Sequence, residues 1–194
     1  MLTDLPNILT LSRIGAIPLL VLLVALQAPT ANLLAALLFT LAGITDYLDG
    51  KLARERQMLS DFGRMLDPIA DKLLVGATLM ALVGLGHLPG YGIYPAIVIM
   101  LREILVSGLR EYLAEIKVGL PVTRLAKWKT GVQMVALGLL LLGGAGARVI
   151  GLGFLPMGWI GGLLLWIAAV LTLVTGWDYL TAGLRHAGAQ RPAA

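Results

Sequence analysis

A chain of 194 residues that is 58% apolar and 13% charged, with a mean hydropathy of +0.88, cannot fold in water without exposing large apolar patches, so the lipid bilayer is its solvent. The absence of cysteine excludes disulfides, thiolate-bound zinc and thiol catalysis. A net charge of +4 invites a nucleic-acid reading, but membrane orientation and anionic headgroups account for the basic residues, and no nucleic-acid partner is expected.

The apolar runs are continuous rather than alternating, which selects helices over a membrane barrel. About 20 apolar residues cross the hydrocarbon layer. Six such stretches are predicted near 6–27, 31–50, 62–86, 91–113, 124–144 and 157–183, giving an all-α integral membrane bundle of six transmembrane helices. One domain is expected over 1–185, with a mobile tail over 186–194 and no inverted repeat of the transporter kind.

The first span lacks a basic region ahead of it and reads as retained rather than cleaved. Asn7, Thr10 and Arg13 precede or enter it. The second span closes on Thr45-Asp46-Tyr47-Leu48-Asp49-Gly50, and the third opens near Gly63, because too few apolar residues follow Lys72 to cross alone. Asp67 and Asp71 then sit one to two turns inside the third span, level with Asp46 and Asp49. Spacings of three and four put each pair on one helix face, so two antiparallel helices can converge four carboxylates. Pro68 is predicted to bend the third helix and free a carbonyl beside them.

In the fourth span Arg102 lies deeper than Arg110, and facing lipid would be costly. It is expected to face the interior and an anion, either substrate or an internal carboxylate such as Glu111 or Asp46. Glu103 is expected to pair internally, for instance with Arg110. Lys127-Trp128-Lys129 opens the fifth span, and Gly158 and Gly162 in the sixth form a candidate packing notch. His87 and His186 lack the companions a metal site needs.

Walking these spans places Lys51, Arg54, Arg56, Arg64, Lys117, Arg124, Lys127, Lys129, Arg185 and Arg191 on one side and only Arg148 in the opposite connections. The positive-inside rule then puts both termini in the cytoplasm. The acidic residues gather on the same side, which points to a polar site at the cytoplasmic interface.

Four carboxylates packed at a membrane interface must be protonated, paired with Arg or Lys, or holding cations. Oxygen ligands without His or Cys favour Mg²⁺ or Mn²⁺, and two such ions would clamp a diphosphate. Gly50 leaves room for a nucleotide to approach the backbone, and Arg54 can fork onto phosphate oxygens.

The pattern Asp46-x2-Asp49-Gly50-x2-Ala53-Arg54-x8-Gly63-x3-Asp67-x3-Asp71 resembles the signature of the CDP-alcohol phosphotransferases at all eight fixed positions. The resemblance implies that Asp46, Asp49, Asp67 and Asp71 bind two metal ions and that Asp71 is also the general base. It further implies that Gly50, Ala53 and Arg54 contact the CDP group, that Asn7 and Thr10 help hold the nucleotide, and that the enzyme is a homodimer.

Three segments, Leu5 to Arg13, Arg102 to Arg110 and Lys127 to Thr130, are similar to the bacterial phosphatidylglycerophosphate synthases of that family. This implies CDP-diacylglycerol and glycerol 3-phosphate as substrates, and an inner (cytoplasmic) membrane location with the site facing the cytoplasm. Arg110, Lys127 and Lys129, with Arg102, would form a basic pocket for the acceptor's phosphate. Other acceptors (serine, inositol phosphate or phosphatidylglycerol) and a divalent-cation transporter are the alternative readings.

Overall fold

A computed structural model describes the backbone of residues 5–55, 61–116 and 123–189; the side chains of residues 5, 6, 47–62, 64 and 184–189 lie outside the description. Six helices follow one another: α1 (Leu5–Ala25), α2 (Pro29–Glu55), α3 (Asp61–Gly84), α4 (Ile93–Glu115), α5 (Arg124–Val149) and α6 (Met157–Ala189). Among the described residues there is no strand.

Pro6 occupies the first turn of α1, where its missing N–H has no helical partner to lose. Pro18 and Pro68 lie inside α1 and α3, and neither ends its helix. In hydrocarbon a released backbone group finds no water, so continuing the helix is the cheaper outcome. Thr123 caps α5, its hydroxyl accepting the Ala126 N–H at 3.2 Å.

Three helices run past their expected ends. α2 continues to Glu55, so Asp46 lies inside the helix rather than closing it. α5 passes a break at Gly143, whose φ of 55° and ψ of −177° suit a residue without a Cβ, and resumes to Val149. α6 extends through Ala189, beyond the domain end expected at 185.

The segments Asn7–Ala25, Pro29–Asp46, Arg124–Val149 and Met157–Gly183 are each long and apolar enough to cross a membrane. α3 and α4 have the length, 24 and 23 residues, or about 36 and 35 Å at 1.5 Å per residue. They carry too many charges to qualify on composition: Asp67, Asp71 and Lys72 in α3, and Arg102, Glu103, Arg110 and Glu111 in α4.

Helix neighbours in space are not always neighbours in sequence. α1 packs on α2 and α3, α2 on α5, α5 on α6, and α6 on α4; slighter contacts of α3 with α4 and α5 close the ring. Its interior holds Leu20, Phe39, Leu74, Leu82, Ile99, Leu137 and Leu165. The α5–α6 seam is close because a Cβ at Gly161 would lie 3.1 Å from both Ala136 O and Leu140 N. Gly158 has open space where the notch was expected, and Gly162 meets Pro89. Leu22, Leu37, Leu101, Leu163 and Leu173 point outward and are exposed, the reverse of a water-soluble bundle and suited to lipid contact.

Candidate active site

α1 brings a polar face to α2 and α3 at one end of the bundle. Asn7, Thr10 and Arg13 recur every three residues and are all buried, at 1%, 1% and 2% exposure. In α1 this is the face against α3, so the side chains meet carboxylates instead of lipid.

The Thr10 hydroxyl donates to Asp67 Oδ1 at 2.6 Å. Arg13 Nη1 donates to Asp71 Oδ1 at 3.0 Å and stands 2.6 Å from Asp46 Oδ1. One nitrogen thus links α2 and α3, and the two carboxylate oxygens lie no farther apart than those distances combined. Arg13 is sealed at 1% side-chain exposure, whereas Asp46 and Asp71 remain 40% and 53% exposed. The carboxylates are therefore open to ligand on the side away from the guanidinium.

Asp49, Gly50, Ala53 and Arg54 occupy the last turns of α2, with side chains outside the described residues. Among the described residues, which leave out the Asp49 side chain, no three acidic or imidazole groups come together closely enough to hold a metal ion. The donor set still fits a hard divalent cation, since Asp46, Asp67 and Asp71 offer only oxygen, two of them share a counter-charge, and two are accessible. Lys72 turns back to the Pro68 carbonyl at 2.9 Å and makes no ion pair among the described residues.

A second charged group lies between α4, α5 and α6. Lys129, 4% exposed, donates to Glu103, the partner found for Glu103 in place of Arg110. Arg102 Nη1 stands 3.6 Å from the same carboxylate. Its Nη2 donates to Thr175 Oγ1 at 3.0 Å, and its guanidinium lies 5.7 Å from the Tyr179 ring centroid. Gly176 makes room for this side chain, since a Cβ there would meet Arg102 Cγ at 3.0 Å. Two cations against one carboxylate leave an excess positive charge, the condition for taking up an anion. Arg110 and Lys127 are exposed on α4 and α5.

Asp46 and Asp71 on consecutive helices, joined through a buried arginine, with Asp67 held by Thr10 beside them, make up the described part of this site. The sequence profile of the CDP-alcohol phosphatidyltransferases matches residues 3–174, which contain both charged groups except Tyr179 and Thr175. The chain belongs to that family. It is 48% identical to a CDP-diacylglycerol–glycerol-3-phosphate 3-phosphatidyltransferase of Rickettsia bellii, over 92% of this chain and 94% of the relative. Relatives of the same name in Cereibacter sphaeroides and Bacillus subtilis are 39% and 36% identical, over 94% and 92% of this chain and 96% and 94% of their own lengths. As a member of this transferase family the chain is an enzyme, and divalent-metal dependence is general among CDP-alcohol phosphatidyltransferases.

The sequence assigned Arg13 no role and missed Thr175. Arg13 had one available signal: it follows Thr10 by three residues, and four carboxylates at a membrane interface need a buried cation nearby. Nothing in the sequence placed Thr175 against Arg102, because that contact joins α4 to α6 across 73 positions.

Proposed function

We propose that this enzyme transfers the phosphatidyl group of CDP-diacylglycerol to glycerol 3-phosphate, forming phosphatidylglycerol phosphate and releasing CMP. The observation that carries the reading is the meeting of Asp46, Asp67 and Asp71 on one α1 face. The shared name of relatives that match nearly the whole chain supports the choice of substrates.

Divalent ions, Mg²⁺ or Mn²⁺ and two in number, held by Asp46, Asp49, Asp67 and Asp71, would supply charge neutralisation at the diphosphate and the leaving group. Thr10 fixes Asp67, and Arg13 fixes Asp46 and Asp71, before substrate arrives. Asp71, the more exposed of the two carboxylates on Arg13, takes the proton of the acceptor hydroxyl as that oxygen attacks the lipid-linked phosphorus. Asn7, Gly50, Ala53 and Arg54 hold the CDP group. Arg102 and Lys129, with Arg110 and Lys127 at the rim, hold the acceptor's phosphate.

The diacylglycerol chains stay in the hydrophobic layer. A cleft of about 590 Å³ between α2 and α5, lined by Leu37, Thr40, Gly43, Ile44, Met134 and Val135, begins one turn from Asp46 and suits an acyl chain. All six helices cross the inner membrane, with both termini and the site on the cytoplasmic side; residues 1–185 form the catalytic domain, and two copies make the enzyme.

The test is CMP release from CDP-diacylglycerol by the purified protein with Mg²⁺, with and without glycerol 3-phosphate, beside Asp67→Ala. Release that needs both additions and vanishes in the variant is expected. Release only with serine or another alcohol overturns the acceptor, and ion flux without CMP release overturns the enzyme reading.

A further inference from the structure

Arg13 stands between carboxylates of two helices. Arg13 Nη1 is shared between Asp46 Oδ1 of α2, at 2.6 Å, and Asp71 Oδ1 of α3, at 3.0 Å. Two carboxylates on separate helices repel unless a positive charge lies between them. A guanidinium at 1% exposure is stable in this setting only against anions. Each demand satisfies the other, and the helices are held together without any added ion.

We infer that Arg13 is a resident counter-cation: it holds the carboxylates of α2 and α3 in register in the metal-free enzyme and gives up part of that pairing when divalent ions load. The inference rests on the reading that these aspartates bind divalent cations. It assigns a cost to loading, because the incoming ion competes with a charge already in place.

Arg13 is a positioning residue in this scheme and touches no reacting atom. Its removal has two opposed effects. The metal-free protein loses the charge that offsets repulsion between Asp46 and Asp71, while the metal-loaded protein gains ligands free of a competitor. A merely structural arginine would lower stability equally in both states and leave metal affinity unchanged or weaker.

The experiment uses the full chain in detergent, stripped with EDTA and titrated with Mn²⁺ by electron paramagnetic resonance, with thermal unfolding measured in EDTA and in saturating Mn²⁺. Arg13→Gln is expected to bind Mn²⁺ about tenfold more tightly than the unaltered chain. Its unfolding temperature should fall in EDTA and recover in Mn²⁺, so that the gap between the two conditions widens. Affinity that is unchanged or weaker, with an equal loss of stability in both conditions, overturns the inference and leaves the metal site standing. Should Arg13→Gln fold in neither condition, Arg13→Lys decides: its single ammonium cannot span both carboxylates as well, and affinity should rise about threefold. No gain in Arg13→Lys then overturns the inference. If the unaltered chain binds no Mn²⁺, the metal reading itself fails and the inference falls with it.

Discussion

Asp71 is pulled two ways by its surroundings: toward Arg13, which fixes one oxygen, and toward the open side, where 53% of its side chain is exposed. A base needs that combination, since it must be held in place and still reach substrate. Asp71→Asn keeps the shape and the oxygen that accepts from Arg13 but removes the proton acceptor. Turnover should fall about 10³-fold, with thermal unfolding close to that of the parent; substantial activity would remove Asp71 from the role of base. The spacing of the aspartates was legible in the sequence because helical periodicity places residues three and four apart on one face wherever the helix sits. Arg13 was not legible as their partner, because its role depends on the rotation of α1 against α3, which no local pattern determines. Glu103 illustrates the same limit: Arg110 lay on its own helix, yet the partner is Lys129 on α5.

At the scale of elements, α4, α5 and α6 are joined by charge as well as by packing. Glu103 stands against Lys129 and Arg102, and Arg102 reaches α6 through Thr175. Removing one member of a buried ion pair costs about 3–5 kcal/mol, whereas replacing both with apolar groups is often near neutral. Glu103→Leu should therefore destabilise the protein by about that amount, and the double variant Glu103→Leu, Lys129→Met should regain part of the loss, Arg102 still lacking its counter-anion. If Lys129 also serves the acceptor's phosphate, the double variant keeps a raised KM for glycerol 3-phosphate after stability has returned. A KM that returns with stability would confine Lys129 to a structural part. The six helices themselves were legible, since each long apolar run had one. Their ends were less so, because α2 continues through Lys51 to Glu55 and α6 through Leu184 to Ala189, past the apolar runs that predicted them.

For the whole molecule, the proposed topology puts both termini in the cytoplasm and the α5–α6 connection on the opposite side. The chain has no cysteine, so a single introduced thiol reports its own side. Arg148→Cys should react with a membrane-impermeant maleimide in intact cells, and His186→Cys only after the membrane is opened. The opposite pattern would invert the topology and move the aspartates away from cytoplasmic substrates.

The ring order of the helices also sets a schedule for assembly. α2 packs on α5, but Glu55 ends the one and Arg124 begins the other, so about 70 residues must be made in between, which takes roughly 4–14 s at 5–20 residues per second. During that interval Phe39 and Gly43 have no α5 to cover them, and the nascent chain has only α1 to steady α2. A substitution on the α1–α2 seam should thus lower the yield of inserted protein during synthesis, before any loss is visible in the finished bundle.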